Sequence, residues 1–270
     1  VTDGTYGAVG LDFKSPHTGL AAKKVWFFFD KTYVCLGTDI SSRMKNQVLT
    51  TVNQCLLNGQ VTVSDADGIH PQERGSRMKK GVRWVVHDKV GYYFLNKENV
   101  ILSNQRTEGS WKIANRQTTT PTDIIQQDVF TLSVDHGSYP NNEGYAYMVV
   151  PSADPLSIEK QVEEEGVVVL ANCPDVQAVR HDGLNMAYAV FYKGGTLRIH
   201  DKIVVEMDAP GMLMVKYNDA GEILALGVSD PTRFMKKLHL SVNQKIVGSA
   251  QENIQTEWDE KQALTRITVE

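Results

Sequence analysis

Trp26, Phe27, Phe28 and Phe29 follow one another without a break. On an extended chain successive side chains point to opposite faces, so this stretch carries a large ring on each side. A strand that is aromatic on both faces needs cover on both. The chain is therefore expected to stack its sheets in layers. The run is far too short to be a membrane span, which needs ~20 apolar residues. Two readings remain for the rings: the core of a layered sheet, or a sugar-stacking platform led by Trp26.

The rest of the chain repeats the strand pattern. Short segments rich in Val, Ile, Thr, Tyr and Phe alternate with Gly, Asn and Asp turns. The turn residues predict four hairpins. Residues 25–29 and 32–36 flank Asp30-Lys31, and residues 83–87 and 91–94 flank Asp88-Lys89-Val90. Residues 187–192 and 196–200 flank Lys193-Gly194-Gly195, and residues 212–217 and 223–228 flank Asn218-Asp219-Ala220-Gly221. Residues 197–205 read as one strand, alternating in its first half and apolar on both faces in its second. Residues 46–58 read as a strand, because Val48, Thr50, Thr51 and Val52 are branched at Cβ. One helix is expected, with Asp154 as N-cap, Pro155 at the first helical position, residues 156–165 as its body and Gly166 as its stop. It is expected to link two domains, residues 1–170 and 171–270.

The chain has 270 residues, 41% hydrophobic and 22% charged, which suits one large or two modest globular domains. A net charge of -4 argues against a nucleic-acid partner. It leaves room for a local basic patch, and the densest is Arg74, Arg77, Lys79, Lys80 and Arg83. Arginine there can grip a carboxylate or sulfate with two parallel bonds; a solvated loop is the plainer reading. Trp111 and Trp258 are further aromatic candidates for stacking on a sugar. His136 follows Asp135 at a strand end, and His87 and His181 each precede an Asp. Such a pair can act in acid–base chemistry, but no nucleophile motif, zinc-ligand spacing or phosphate loop accompanies any of them. A turn-fixing hydrogen bond is the plainer role. Ser64-Asp65-Ala66-Asp67-Gly68 is similar to the start of a calcium loop but lacks the distal Glu, so it reads as a surface turn. Cys35, Cys55 and Cys173 are too few for a disulfide framework or a zinc site. They read as small apolar residues, with a Cys35–Cys55 bridge as the alternative. The chain opens on Val1-Thr2-Asp3-Gly4, without an initiator Met or signal peptide, and is expected to be cut from a longer protein.

Longer motifs carry a resemblance. Thr2-Asp3-Gly4-Thr5-Tyr6-Gly7-Ala8 is followed by Ala22-Lys23-Lys24-Val25-Trp26-Phe27-Phe28-Phe29-Asp30 and Val34-Cys35-Leu36-Gly37. Then come Thr50-Thr51-Val52-Asn53-Gln54, Leu57-Asn58-Gly59, residues 84–94, Asp135-His136-Gly137 and Tyr145-Ala146-Tyr147-Met148-Val149-Val150-Pro151. Val176-Gln177-Ala178-Val179 and Ser229-Asp230-Pro231-Thr232 extend the series. In this order the motifs resemble the family-eight polysaccharide lyases, which cut chondroitin, hyaluronan and xanthan, and the Asn-Gln-x-x-Leu-Asn-Gly variant looks closest to the chondroitin AC type. Val25 departs from the Ser that many relatives carry before Trp.

The resemblance implies an all-β chain: the later part of a large antiparallel β-supersandwich over residues 1–170, then a smaller C-terminal β-sandwich over 171–270. It implies a parent enzyme that cleaves at uronic acid by β-elimination. An Asn neutralises the carboxylate, a Tyr and a His handle the protons, and Arg assists, all on an upstream α/α-toroid domain. A further Glu lies in the central sandwich before Val1. No catalytic residue is therefore assigned in this chain, and alone it is expected to be inactive. Arg74, Arg77 and Trp111 are the candidates for contact with an acidic polysaccharide such as chondroitin sulfate or hyaluronan. No metal site or cofactor is expected here, with calcium left open for the parent enzyme. The expected setting is bacterial, secreted or periplasmic, with no nucleic-acid or membrane partner. An independent carbohydrate-binding or structural β-sandwich module is the alternative.

Overall fold

The computed structural model describes residues 1–246 and 253–270. Its first ten strands are β1 (Gly7–Lys14), β2 (Ala21–Phe28), β3 (Tyr33–Ser41), β4 (Gln47–Leu56), β5 (Val61–Asp65), β6 (Gly68–Pro71), β7 (Ser76–His87), β8 (Val90–Gly109), β9 (Ile125–Ser138) and β10 (Glu143–Pro151). A one-turn helix α1 (Trp111–Ala114) joins β8 to β9, and α2 (Ile158–Glu165) follows β10. The chain continues through β11 (Val167–Asn172), β12 (Val176–His181), β13 (Met186–Phe191), β14 (Gly195–His200), β15 (Ile203–Met207), β16 (Gly211–Tyr217), β17 (Ile223–Ser229), β18 (Leu238–Val242), β19 (Ile254–Asp259) and β20 (Leu264–Val269).

The first ten strands form one antiparallel sheet in the order β1-β2-β3-β10-β8-β7-β5-β6, with β9 pairing β8 and β4 pairing β9. It forks at β8. Residues Val90 to Phe94 pair with β10, while Val100 to Gly109 pair with β9. The two later sheets run β11-β12-β13-β16-β17 and β14-β15-β18-β20-β19.

Three cores hold these layers. Val25, Phe27, Leu36, Trp84 and Met148 on the large sheet pack against Val179, Met186, Tyr188 and Met214 of the next sheet. On the other face, Ile40, Val63, Tyr92, Phe130 and Leu132 form a second core. Leu197, Ile203 and Met207 meet Ala187, Leu213 and Val215 between the two five-stranded sheets. The fold is thus all-β and layered, as the aromatic run required.

That run divides by alternation. Phe27 and Phe29 reach Tyr188 across the layer, with ring centroids 5.9 and 5.7 Å away. Trp26 is half-buried and packs on the second core, so it is no open stacking platform. Phe28 departs from the expectation of full cover: it is 42% exposed, beside Tyr33 at the strand end.

Three of the four expected hairpins form, including the one at Asp88 and Lys89, both of which have positive φ. The Lys193-Gly194-Gly195 segment is different. β13 and β14 lie in different sheets, so this turn passes the chain from one layer to the other. Residues 197–205 are not one strand. They turn at Asp201-Lys202, and β14 and β15 pair as a hairpin. The helix starts later than expected. Asp154 caps a preceding turn, its carboxylate accepting from Leu156 N–H at 2.8 Å, and Ser157 stands at the N-cap of α2. Gly166 ends the helix in the left-handed region, at φ 62°.

Candidate functional site

β8 has 20 residues and β9 has 14, and together they reach beyond the neighbouring strands. At their far end α1 presents Trp111, 62% exposed. Ser110 fixes that turn by accepting from Lys112 N–H at 3.2 Å. Leu56, Thr107, Ile125, Gln127 and Val129 line an open groove of about 380 Å3 beside the indole, with Glu108, which accepts from the Gln126 amide, as its one charged residue. Strand alternation builds its floor: Gln127 and Val129 point into it, and Asp128 between them points to the opposite face.

Asp128 holds Arg74. The guanidinium donates to the carboxylate at 2.6 Å and keeps its pKa below the usual range. Arg74 and Trp111 therefore share one end of the sheet but sit on opposite faces of β9. Arg77 pairs with Glu73 at 2.5 Å, Lys79 with Asp65 at 2.9 Å, and Arg83 with Glu159 at 3.7 Å. The basic cluster is thus largely neutralised within the chain. Exposed pairs of this kind contribute about 0–1 kcal/mol, so Arg74 and Arg77 can exchange their partners for a ligand at low cost.

The turn at Ser64-Asp65-Ala66-Asp67-Gly68 is structural. Asp65 accepts from Asp67 N–H at 3.0 Å, His70 at 3.1 Å and Lys79 at 2.9 Å. Burial pushes its carboxyl up, but these three donors outweigh burial and hold it below the usual range.

The histidines are framework groups. His136 is buried and hydrogen-bonded to Thr50 Oγ1 at 2.9 Å. Burial, helped by Lys24, pushes it down to about 4. His87 stacks on Phe130 at 4.3 Å, accepts from Asn58 N–H at 3.0 Å, and is also lowered by burial. His181 bonds Glu165 at 3.1 Å beneath Phe29. Tyr145 and Tyr147 are buried, and burial raises both phenols. None opens onto the Trp111 groove. All three cysteines are free, and burial pushes Cys35 up to about 12. Among the described residues, no three His, Cys, Asp or Glu side chains cluster to hold a metal ion, and no helix is long and apolar enough to cross a membrane.

A second groove, about 430 Å3, crosses the outer face of the β15-β18-β20-β19 sheet. Glu206, Asp208 and Glu257 line it, and its one arginine, Arg266, is held by Asp259 at 2.9 Å and Gln262 at 2.6 Å. This charge is wrong for an acidic polymer. Trp258 is half-buried and offers no open platform.

The sequence alone missed the apolar partners of Trp111. Leu56 and Ile125 at strand ends, 64% and 42% exposed, were the available signal. Glu98 was missed as well. It stands at the fork of β8, where burial and then Glu143 push its carboxyl up to about 7.

The super-sandwich domain of polysaccharide lyase family 8 matches residues 1–162, and that family's C-terminal beta-sandwich domain matches residues 168–239. The chain is 36% identical over 250 residues to a chondroitinase-AC of Pedobacter heparinus, covering 92% of this chain and 34% of that protein. It is 30% identical over 251 residues to a hyaluronate lyase of Thermasporomyces composti, covering 91% of this chain and 31% of that protein. It superposes on a chondroitinase AC lyase solved with oligosaccharides at a TM-score of 0.82 and 34% identity, covering 100% of this chain and 37% of that one. A Paenibacillus xanthan lyase structure shares the fold at a TM-score of 0.85 and 23% identity, covering 98% of this chain and 26% of that one. The chain spans about a third of the length of the curated relatives it matches.

Proposed function

The chain belongs to polysaccharide lyase family 8, and from that premise we propose that it is the non-catalytic β part of a lyase that cleaves chondroitin or hyaluronan by β-elimination. In this reading residues 1–170 complete the central sandwich, residues 171–270 form the C-terminal one, and an upstream toroid carries the chemistry. The observation that supports it most is 36% identity to a chondroitinase-AC over 92% of the chain.

β-Elimination needs a group that neutralises the uronate carboxylate, a base for the C5 proton and an acid for the leaving oxygen. Here His136, His87 and His181 are committed to framework contacts, and among the described residues Glu108 alone of the titratable side chains lines the Trp111 groove, so no acid–base pair faces it. What the chain offers is recognition. Trp111 supplies an open apolar face for a sugar ring, and Arg74 and Arg77 supply exchangeable cations outside the groove, Arg74 on the opposite face of β9. The parent enzyme is secreted or periplasmic, where such polymers are met.

The test compares the 270-residue chain with the full-length protein on chondroitin and hyaluronan, following the ultraviolet absorbance of the unsaturated uronate. Turnover is expected from the full-length protein alone. Turnover by the 270-residue chain would overturn the non-catalytic assignment. A second reading, an independent carbohydrate-binding module, draws on the exposure of Trp111. Micromolar binding of chondroitin oligosaccharides to the isolated chain by titration calorimetry would favour it.

A further inference from the structure

β1 is the open edge of the large sheet. Its pairing with β2 uses one side of its backbone. On the other side only Ala8 is closed, donating to Val1 O at 2.9 Å and accepting from Val1 N at 3.1 Å. Gly10, Asp12 and Lys14 share Ala8's orientation by alternation, and among the described residues no strand lies beyond them. An uncovered edge is a ready template for another strand.

The side chains add two features. Val9, Leu11 and Phe13 form an apolar row, 55%, 44% and 39% exposed. Leu11 and Phe13 line a trough of about 200 Å3 whose far wall is Val48, Leu49 and Thr50 of β4. Lys24 also lines it. Lys23, its neighbour, is paired with Asp39 at 3.2 Å. Lys24 has no ion pair or hydrogen bond among the described residues, and its ammonium lies 5.9 Å from the Tyr145 ring. Burial lowers its pKa, which marks a cation short of solvent as well as of a counter-ion.

We propose that the open edge of β1 takes a further β-strand of the same polypeptide, from outside residues 1–270, which pairs with β1, covers Val9, Leu11 and Phe13 at the rim of the trough, and presents a carboxylate to Lys24. The inference rests on the reading that the chain is part of a longer lyase. Relatives about three times as long supply the polypeptide. Leu11 is the cross-strand partner of Lys24, so an added residue opposite Leu11 shares their face. It lies two strand spacings from Lys24, about 10 Å, a gap that a lysine and an acidic side chain span together. One added strand thus meets the edge amides, the apolar row and the unpaired cation.

The test compares the 270-residue chain with the full-length protein by hydrogen exchange at Gly10, Asp12 and Lys14 and by acetic anhydride labelling of Lys24. Both are expected to be at least tenfold slower in the full-length protein. Leu11→Thr, which keeps strand propensity and adds no charge opposite Lys24, is expected to leave the melting temperature of the 270-residue chain nearly unchanged and to lower that of the full-length protein. Equal exchange and labelling in the two proteins would overturn the proposal. So would protection that grows with the concentration of the 270-residue chain, which would mean pairing with a second copy. Protection of the 270-residue chain by added chondroitin or hyaluronan oligosaccharides would overturn it in favour of a ligand trough. A gene encoding nothing beyond these residues would overturn this inference and the lyase reading together. Protection in a full-length protein that lacks lyase activity would overturn only the lyase reading.

Discussion

Replacing Gly37 by Ala should unsettle the large sheet more than any other single methyl group. Gly37 pairs with Tyr145 across β3 and β10, and the Tyr145 ring lies flat over it. A Cβ at position 37 would sit 2.5 Å from Cζ and 2.6 Å from Cδ1 of that ring, with Cε1 closer still. Ordinary contact begins at 3.4 Å, so the ring must retreat by about 1 Å. It has nowhere to go. Tyr145 is 3% exposed, wedged between Tyr147 at 5.6 Å and His136 at 6.1 Å. Forcing extra volume into a packed site costs about 1–3 kcal/mol, and losing a buried aromatic altogether costs about 3–5 kcal/mol. Relief of glycine's backbone entropy returns about 0.5–1 kcal/mol. Because the ring has nowhere to go, the larger figure sets the cost, and Gly37→Ala should destabilise the protein by about 2–4.5 kcal/mol, read as a shift in urea midpoint at constant m. The cause is isolated by a double-mutant cycle. In a Tyr145→Ala background the same methyl enters free space and should cost less than about 0.5 kcal/mol. An equal cost in both backgrounds would refute the steric argument, as would a cost near zero in the native background.

Glu98 and His136, an acid and a base both shifted by burial, should make opposite contributions to pH dependence. Glu98 has a folded pKa of about 7 against 4.5, so its contribution is lost as pH rises from 4.5 through 7; Glu98→Gln should stabilise the chain by about 1–3 kcal/mol near pH 8 and by little near pH 4. His136 has a folded pKa of about 4 against 6.5, so the native state is weakened as pH falls through that window. His136→Gln should remove up to about 3 kcal/mol of that acid-side slope, measured by urea titration at each pH. Trp111→Ala should leave stability within about 0.5 kcal/mol, because the ring is exposed. In the full-length enzyme it should raise KM about tenfold with kcat unchanged, the loss of one ~1.4 kcal/mol sugar contact.

Local chemistry was legible where it alone decided the structure. The positive-φ turn at Asp88-Lys89, the β-branched run at residues 48–52 and the stop at Gly166 were all readable from neighbouring residues. The aromatic run gave the layering because alternation forces it. Readings failed where a distant partner decides. Lys193-Gly194-Gly195 carries hairpin chemistry, but whether its flanking strands share a sheet depends on β16 and β15, which claim them for separate layers. The hairpin at Asp201-Lys202 was readable in principle, since it has the same Asp-Lys signature as the earlier turns. The candidate site was half legible. Arg74, Arg77 and Trp111 stand out by residue type, but nothing local says that Asp128 and Glu73 occupy the arginines. Nor does it say that the indole and the Arg74 guanidinium lie on opposite faces of β9. Lys24 was invisible as an unpaired cation, because its isolation is a property of what surrounds it.

The length of β8 has a mechanical consequence. Tyr93 and Leu95, near its beginning, pack into the seam between the large sheet and the C-terminal sandwich, and its end leads directly into the turn that carries Trp111. At ~3.3 Å per residue the strand runs about 50 Å between those points. Each degree of tilt at the seam therefore swings the indole by about 1 Å. The seam is the pivot of a long arm, and exchanging one buried methyl beside Phe27 or Tyr188 is expected to move the tip without altering any residue there. Evolution can tune the reach of this groove from the opposite end of the molecule.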